Sequence, residues 1–163
     1  MSNDNIKEVL RRLPYGFYSI TSKFGDEENA RVLNWMTQVS FEPRLIAIVV
    51  QKTSFSYHLI EKGKVFVLNV FNIEDADAVI PITKGRKKNP EKMKNLDYKP
   101  GAEIGCPILD DAAAYLECRV RSIQVVGGDH NIVVGEIVGA GVRKPGSAED
   151  TLSLPKIGWI YSG

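Results

Sequence analysis

The chain has 163 residues, 44% of them hydrophobic and 25% charged, with a formal net charge of +1. That is enough for one globular domain with a sizeable core, and too little charge for a global field that would steer it to nucleic acid or a membrane surface. Two cysteines (Cys106, Cys118) and two histidines (His58, His130) in no ligand spacing argue against a zinc site and against a disulfide scaffold.

The opening Met1-Ser2-Asn3-Asp4-Asn5 is polar and leads into a charged helix, which predicts no signal peptide. No apolar run approaches the ~20 residues of a membrane span, so the expected location is cytoplasmic. Ile6, Val9, Leu10 and Leu13 recur at helical spacing and predict a short amphipathic helix limited by Pro14. The β-rich run 17–21 predicts a strand, the polar stretch 23–29 with Gly25-Asp26 a hairpin connection, and 30–39 a returning strand. Residues 45–50 contain no polar side chain. Both faces of that strand are therefore expected to be covered, by barrel core on one side and a helix or second subunit on the other.

Phe55 and Leu59, four apart, place a helix over 54–62 with Gly63 as its C′ terminator. The next strand is 65–71, with Phe66, Leu68 and Val70 facing one way and Val65, Val67 and Asn69 the other. Residues 74–80 predict a weak helix before Pro81. Segment 83–101 sets Lys84, Arg86, Lys87, Lys88, Lys92, Lys94 and Lys99 against only Glu91 and Asp97, with Pro90 placed to open a short helix. Residues 113–126 predict a long strand, with Leu116, Cys118 and Val120 opposite Glu117, Arg119 and Arg121. Gly127-Gly128-Asp129 is a turn, and 130–142 returns with Gly135 and Gly139 where a barrel strand bends or bulges. Residues 146–153 read as loop, and the apolar, aromatic end 155–161 as a docked terminus.

Six or seven strands with few helices, and no regular βαβ alternation, predict a mainly β chain: a closed antiparallel barrel in a single domain, 1–163. No Gly-x-Gly-x-x-Gly follows a strand, which argues against a dinucleotide site of the doubly wound kind.

Two stretches bear chemistry. In Gln51-Lys52-Thr53-Ser54 a strand ends and a helix begins. Unpaired first-turn N–H groups, two hydroxyls and an ammonium make an anion site there, unless Thr53 or Ser54 is simply an N-cap. In Asn34-Trp35-Met36-Thr37-Gln38-Val39-Ser40, alternation sends Asn34, Met36, Gln38 and Ser40 one way and Trp35, Thr37 and Val39 the other. Amides and hydroxyls supply the mixed donors and acceptors that a flat polar ring requires. The other reading is an edge strand with a solvated polar face.

These stretches belong to a longer series: Leu13-Pro14-Tyr15-Gly16-Phe17-Tyr18, Asn34 to Pro43, Lys52-Thr53-Ser54-Phe55-Ser56-Tyr57, Phe66-Val67-Leu68-Asn69-Val70, Cys106-Pro107-Ile108-Leu109-Asp110, Tyr115-Leu116-Glu117-Cys118-Arg119-Val120 and Gly128-Asp129-His130. In this order and spacing they make the chain resemble, over nearly its whole length, the flavin reductase-like family of FMN-binding split β-barrels. The resemblance implies a homodimer with one non-covalent FMN per subunit near the dimer interface. Asn34, Trp35, Met36, Thr37, Gln38, Val39 and Ser40 would line the isoalloxazine and ribityl chain. Gln51, Lys52, Thr53 and Ser54 would lie at the phosphate, with Tyr57 close by. Such a dimer would also cover the outer face of 45–50.

Gly85-Arg86 matches an element that in the family lies near the flavin or the incoming cofactor, and Arg86 would grip the FMN phosphate or a dinucleotide pyrophosphate. Lys87-Lys88-Asn89-Pro90 departs from the Ser-Gly-Arg-Asp type of sequence of many relatives. Read by itself, the basic run is a solvated loop. The Gly-Asp-His element implies that His130 lies beside the flavin and nicotinamide, as the residue nearest to a catalytic role. His58 reads as surface or interface, the cysteines as small hydrophobes, and Trp35, Trp159 and Tyr161 as core or interface aromatics.

The leading expectation is an NADH- or NADPH-dependent flavin reductase, with electrons leaving to a flavin, oxygen or a carrier protein. The alternative is a flavoredoxin-type electron carrier without its own nicotinamide site, whose Lys-rich loop docks an acidic redox partner protein. A nucleic-acid-binding barrel has the least support, since no basic-aromatic stripe occurs.

Overall fold

The computed structural model describes residues 3–160. The chain forms α1 (Asn3–Leu10), β1 (Tyr18–Phe24), β2 (Glu27–Leu33), β3 (Met36–Ser40), β4 (Leu45–Gln51), α2 (Phe55–Gly63), β5 (Val65–Val70), α3 (Ala76–Val79), β6 (Tyr98–Pro100), β7 (Pro107–Leu109), β8 (Ala114–Gln124) and β9 (His130–Val142). Seven strands make one sheet in the order β2-β1-β5-β8-β9-β4-β3, with every neighbouring pair antiparallel. The architecture is a split barrel, mainly β with a few helices.

The expected strand over 30–39 is two strands. Its first half pairs with β1 and its second with β4, at opposite edges of the sheet. One extended segment cannot serve both edges, so the chain breaks at Asn34-Trp35 and steps across, and the Trp35 carbonyl accepts from Val49 N–H at 3.0 Å. The hairpin before it is tighter than expected. Gly25-Asp26 alone is the turn, with Gly25 at φ +60°, and both flanking strands run to it.

The barrel interior holds Ile20, Leu33, Ile46, Ile48, Val50, Phe66, Leu68, Cys118 and Val133, closed by Tyr57 and Ile60 from α2. Cys118 sits there as a small hydrophobe, its thiol pushed up to about 12 chiefly by burial. Gly135 is where β9 makes room for the core: a Cβ there would lie 2.6 Å from the Phe66 ring. A second apolar cluster joins Phe17, Phe71, Val79, Ile82, Leu109, Leu152 and Leu154. The buried anchors are Leu152 and Leu154, just before the stretch expected to dock; within 155–160 most residues are exposed, Ile160 at 69%, although Ile157 packs on this cluster and Trp159 meets Phe17 edge-on at 5.4 Å. Tyr161 lies outside the described residues.

Three further differences from the sequence reading have local causes. Gly63 is the last residue of α2 rather than its terminator, and Lys64 takes the left-handed conformation at φ 58°. A glycine is still required at 63, because a Cβ there would lie 2.0 Å from the Lys23 carbonyl oxygen. The three-residue strands β6 and β7 were not expected; prolines at their ends hide so short a pairing. Glu117, placed by alternation on the face of Arg119 and Arg121, is buried where they are exposed, its carboxylate accepting from Glu103 and Ile104 N–H at 3.1 Å each.

Candidate functional site

One cavity of about 920 Å³ is bounded by β2, the end of β4, the start of α2 and the segment 82–92. The geometry at α2 follows from its first residues. Ser54 is extended (φ −79°, ψ 151°) and caps the helix, its Oγ accepting from Tyr57 N–H at 3.1 Å. The first-turn N–H groups have no intrahelical acceptor and give this end of α2 partial positive charge. Thr53, Ser54 and Gln51 all line the cavity.

Arg86 reaches this site from the segment 82–92 and lies against the first residue of α2. Its guanidinium donates to the Glu28 carbonyl at 2.7 Å and to Asn29 Oδ1 at 3.4 Å, and lies 4.9 Å from the centre of the Phe55 ring, a cation–π distance. Asn29 in turn donates to Ser56 Oγ at 2.9 Å, a buried pair that ties β2 to α2. Arg31 donates to Gln51 Oε1 at 3.4 Å. Lys92 is buried, and its ammonium donates to the carbonyls of Ala30 (2.9 Å) and Ile82 (3.3 Å). Burial first, then repulsion from Arg31 and Arg86, pulls its pKa down to about 8. With Val32, Phe55 and Ile82 as apolar wall, the cavity has the make-up of a small-molecule site: a flat apolar flank and a cationic end.

A second group forms where β4 meets β9. His130 pairs with Gln51 across the ladder, meets the Trp35 ring edge-on at 5.1 Å, and sits with Nδ1 2.7 Å from Asp129 Oδ1. The hydrogen bond and charge of His130 hold the Asp129 carboxyl below the usual carboxylate range. Trp35 also meets Tyr15 edge-on at 6.4 Å. Lys52 belongs to this group: its ammonium donates to the Gly128 carbonyl at 2.6 Å and its N–H to the Asp129 carbonyl at 3.1 Å.

The candidate residues from the sequence are therefore split. Gln51, Thr53, Ser54 and Arg86 share the cavity wall; Lys52, Trp35 and His130 share the β4–β9 corner. Asn34 is half-buried at the step between edges, and Met36 packs on the barrel core. Thr37, Gln38 and Val39 are exposed on the edge strand β3, and Ser40 follows a bulge opposite Leu45. Tyr57 turns inward with Ile60, its hydroxyl accepting from Asn131 Nδ2 at 2.9 Å. The basic segment is not simply a solvated loop, since Lys92 and Arg86 anchor it. Sequence reasoning passed over Asn29, Arg31, Phe55 and Ser56. The signal available for Asn29 and Arg31 was their period-two spacing in β2, which puts both on one face.

Among the described residues no group of three metal-ligating side chains occurs, and no helix is long and apolar enough to cross a membrane.

A family model described as "Flavin reductase like domain" matches residues 10–155. The high molecular weight rubredoxin of Moorella thermoacetica is 33% identical over 143 residues, 85% of this chain and 61% of the relative. Diflavin flavoprotein A 1 of Synechocystis sp. is 30% identical over 145 residues, 87% of this chain and 25% of the relative. The chain thus spans about three-fifths of the first protein and a quarter of the second. The solved structure of the flavin reductase HpaC complexed with NADP+ superposes with a TM-score of 0.76 at 25% identity, covering 90% of each chain.

Proposed function

This chain belongs to the flavin reductase-like domain family, and from that premise we propose that it is an FMN-binding, NADH- or NADPH-dependent flavin reductase working as a homodimer. The observation that carries the reading is the convergence of Thr53, Ser54 and the α2 N-terminus with Arg86 on one apolar-flanked cavity. That donor set suits a phosphate beside a flat aromatic ring. Thr53 and Ser54 donate their hydroxyls to the phosphate, and Arg86 neutralises it from its place over the Phe55 ring, braced by Glu28 and Asn29. Asn34, Trp35, Met36, Thr37, Gln38, Val39 and Ser40 run from the step between sheet edges along β3, toward a second subunit that completes the pocket. Lys52 and Tyr57 act from behind, Lys52 by holding the β8–β9 turn and Tyr57 by seating α2 on the core. His130, with its ring oriented by Asp129 and Trp35, presents its other nitrogen to the nicotinamide. A flavin held there would supply the redox chemistry, the capacity to accept a hydride from nicotinamide. No general acid is needed for that transfer.

Purified protein supplied with FMN should be yellow, and anaerobic NADH or NADPH should bleach it within the mixing time of a manual assay. Retained colour in the presence of both donors, with bleaching by dithionite, would favour the second reading: an electron carrier that receives its electrons from a partner. One observation supports that reading. The chain is similar to only part of longer proteins, one of them a rubredoxin by name, as a domain fused to a redox module would be.

A further inference from the structure

The cavity carries more positive charge than one phosphate needs. Its lining supplies six cations, Arg31, Lys84, Arg86, Lys87, Lys88 and Lys92, and no carboxylate. A phosphomonoester brings at most two negative charges. With the FMN phosphate on Thr53, Ser54 and Arg86, the exposed ammonium groups of Lys84, Lys87 and Lys88 add charge beyond what that phosphate requires. The excess acts within the protein already, since Arg31 and Arg86 both bear on the buried Lys92 ammonium.

The segment that carries most of these cations is built rather than loose. Arg86 anchors one end to the Glu28 carbonyl and the Phe55 ring. Lys92 anchors the other to Ala30 and Ile82. Between them the N–H groups of Lys88 and Asn89 both donate to the Gly85 carbonyl, at 2.9 and 3.0 Å, closing a turn. The turn holds Lys84, Lys87 and Lys88 exposed at the rim. The lining is concave and of small-molecule size, and charges of one sign along such a wall focus their field on a ligand inside it.

We propose that Lys84, Lys87 and Lys88 form a receptor for the 2′-phosphate of a phosphorylated nicotinamide dinucleotide, so that this protein takes its hydride from NADPH in preference to NADH. The inference rests on the reductase reading for its meaning. The two donors differ by one phosphate group, and only a cationic site apart from the flavin phosphate distinguishes them.

The test compares 2′,5′-ADP with 5′-AMP, fragments that differ by this phosphate, by calorimetric titration of the FMN-loaded protein, alongside kcat/KM for flavin reduction by NADPH and NADH. The expected result is an advantage of about tenfold or more for 2′,5′-ADP and for NADPH, the value of one or two charge-assisted hydrogen bonds. The variant K84Q/K87Q/K88Q should cut both advantages to about threefold or less, and added salt should erode them in the wild type. Its urea midpoint should match wild type and it should still turn yellow at saturating FMN, which shows that the fold and flavin site persist. Equal binding of the two fragments by the wild type overturns the proposal. So does a parallel loss for both donors in the variant, which would mark the rim as a general steering or protein-docking surface. If neither donor bleaches the flavin yet the 2′,5′-ADP advantage is present and disappears in the variant, the reductase reading fails and the phosphate receptor stands. If both donors bleach it equally and the fragments bind alike, the reductase reading stands and the receptor fails. For protein that takes up no FMN, the same titration on the protein as purified decides between receptor and none.

Discussion

Ser54 does two jobs with one hydroxyl. Its oxygen accepts from Tyr57 N–H to cap α2, and its proton is left to donate into the cavity. Thr53 has only the second task, so the two side chains separate when mutated. Thr53→Ala should weaken FMN binding by ~1.5–3 kcal/mol, the worth of a hydrogen bond to a charged acceptor, with thermal stability unchanged. Ser54→Ala should weaken FMN similarly and also cost ~0.5–2 kcal/mol of stability through the lost cap. Fluorescence titration with FMN and urea unfolding measure the two terms, and equal stability loss in both variants would refute the division. At the other corner, His130→Ala should slow flavin reduction by nicotinamide more than it loosens FMN. Stopped-flow reduction set against FMN titration decides, and the reverse ranking would make His130 a flavin-holding residue. Thr53 and Ser54 were legible as strand-end and helix-start residues. The inward turn of Tyr57 was not, because it depends on which face of α2 meets the barrel, a matter of three-dimensional packing.

At the scale of elements, segment 82–92 shows how a basic run becomes structure. Composition reads it as solvated, but Lys92 is 2% exposed and gives its protons to carbonyls of β2 and of the turn at Ile82. Its pKa is about 8 in the fold against 10.5 when unperturbed. Below about 8 the ammonium is charged in both states. Between about 8 and 10.5 only the unfolded chain still binds the proton, so the stability contributed by this site rises with pH across that window and is lost again as pH falls through 8. Lys92→Met should abolish that rise. The raised thiols of Cys106 and Cys118 and the raised phenol of Tyr98 oppose it at high pH, but they are common to both proteins and cancel in the difference. Urea unfolding of the pair at pH 7 and pH 10 is the measurement; a pH-independent gap between them would count against this account. Gly63 teaches a related lesson. Its identity pointed correctly to the end of α2, while its cause is the Lys23 carbonyl from another element. Gly63→Ala should therefore destabilise by roughly 1–3 kcal/mol, as overpacking does, and a denaturant midpoint matching wild type would show that the contact relaxes freely.

For the whole molecule, the question is what covers the outer face. Ile46, Ile48 and Val50 fill the barrel, while Leu45 and Val49 on the other side of β4 remain half-exposed. Phe41 is 86% exposed and Val39 48%, on the adjoining edge strand and its turn. Apolar side chains left so open suit the face of the proposed homodimer, and a second subunit over β4 predicts a dimer by light scattering. Phe41→Glu should shift the distribution toward monomer and lower FMN retention, because the Asn34–Ser40 stretch would lose its facing surface. A wild-type monomer that holds FMN fully would remove the need for the partner.

By itself the sequence determined what depends on local order: where the longer β runs lie, where the helix after β4 begins, that hydroxyls stand at its start, and that the strand at 45–50 is apolar on both sides. These follow from periodicity and from the chemistry of adjacent residues, which a chain carries however it folds. The tertiary structure decided what depends on distance. It split 30–39 between two sheet edges, buried Lys92 and Glu117, turned Tyr57 into the core, and sent Lys52 toward the β8–β9 turn while Thr53 and Ser54 faced the cavity. Above all it brought Arg86 onto the Phe55 ring at the start of α2, from about thirty positions further along the chain. The reason is that neighbours in a folded sheet are set by strand order and by the curl of the barrel, and no short window of sequence records either.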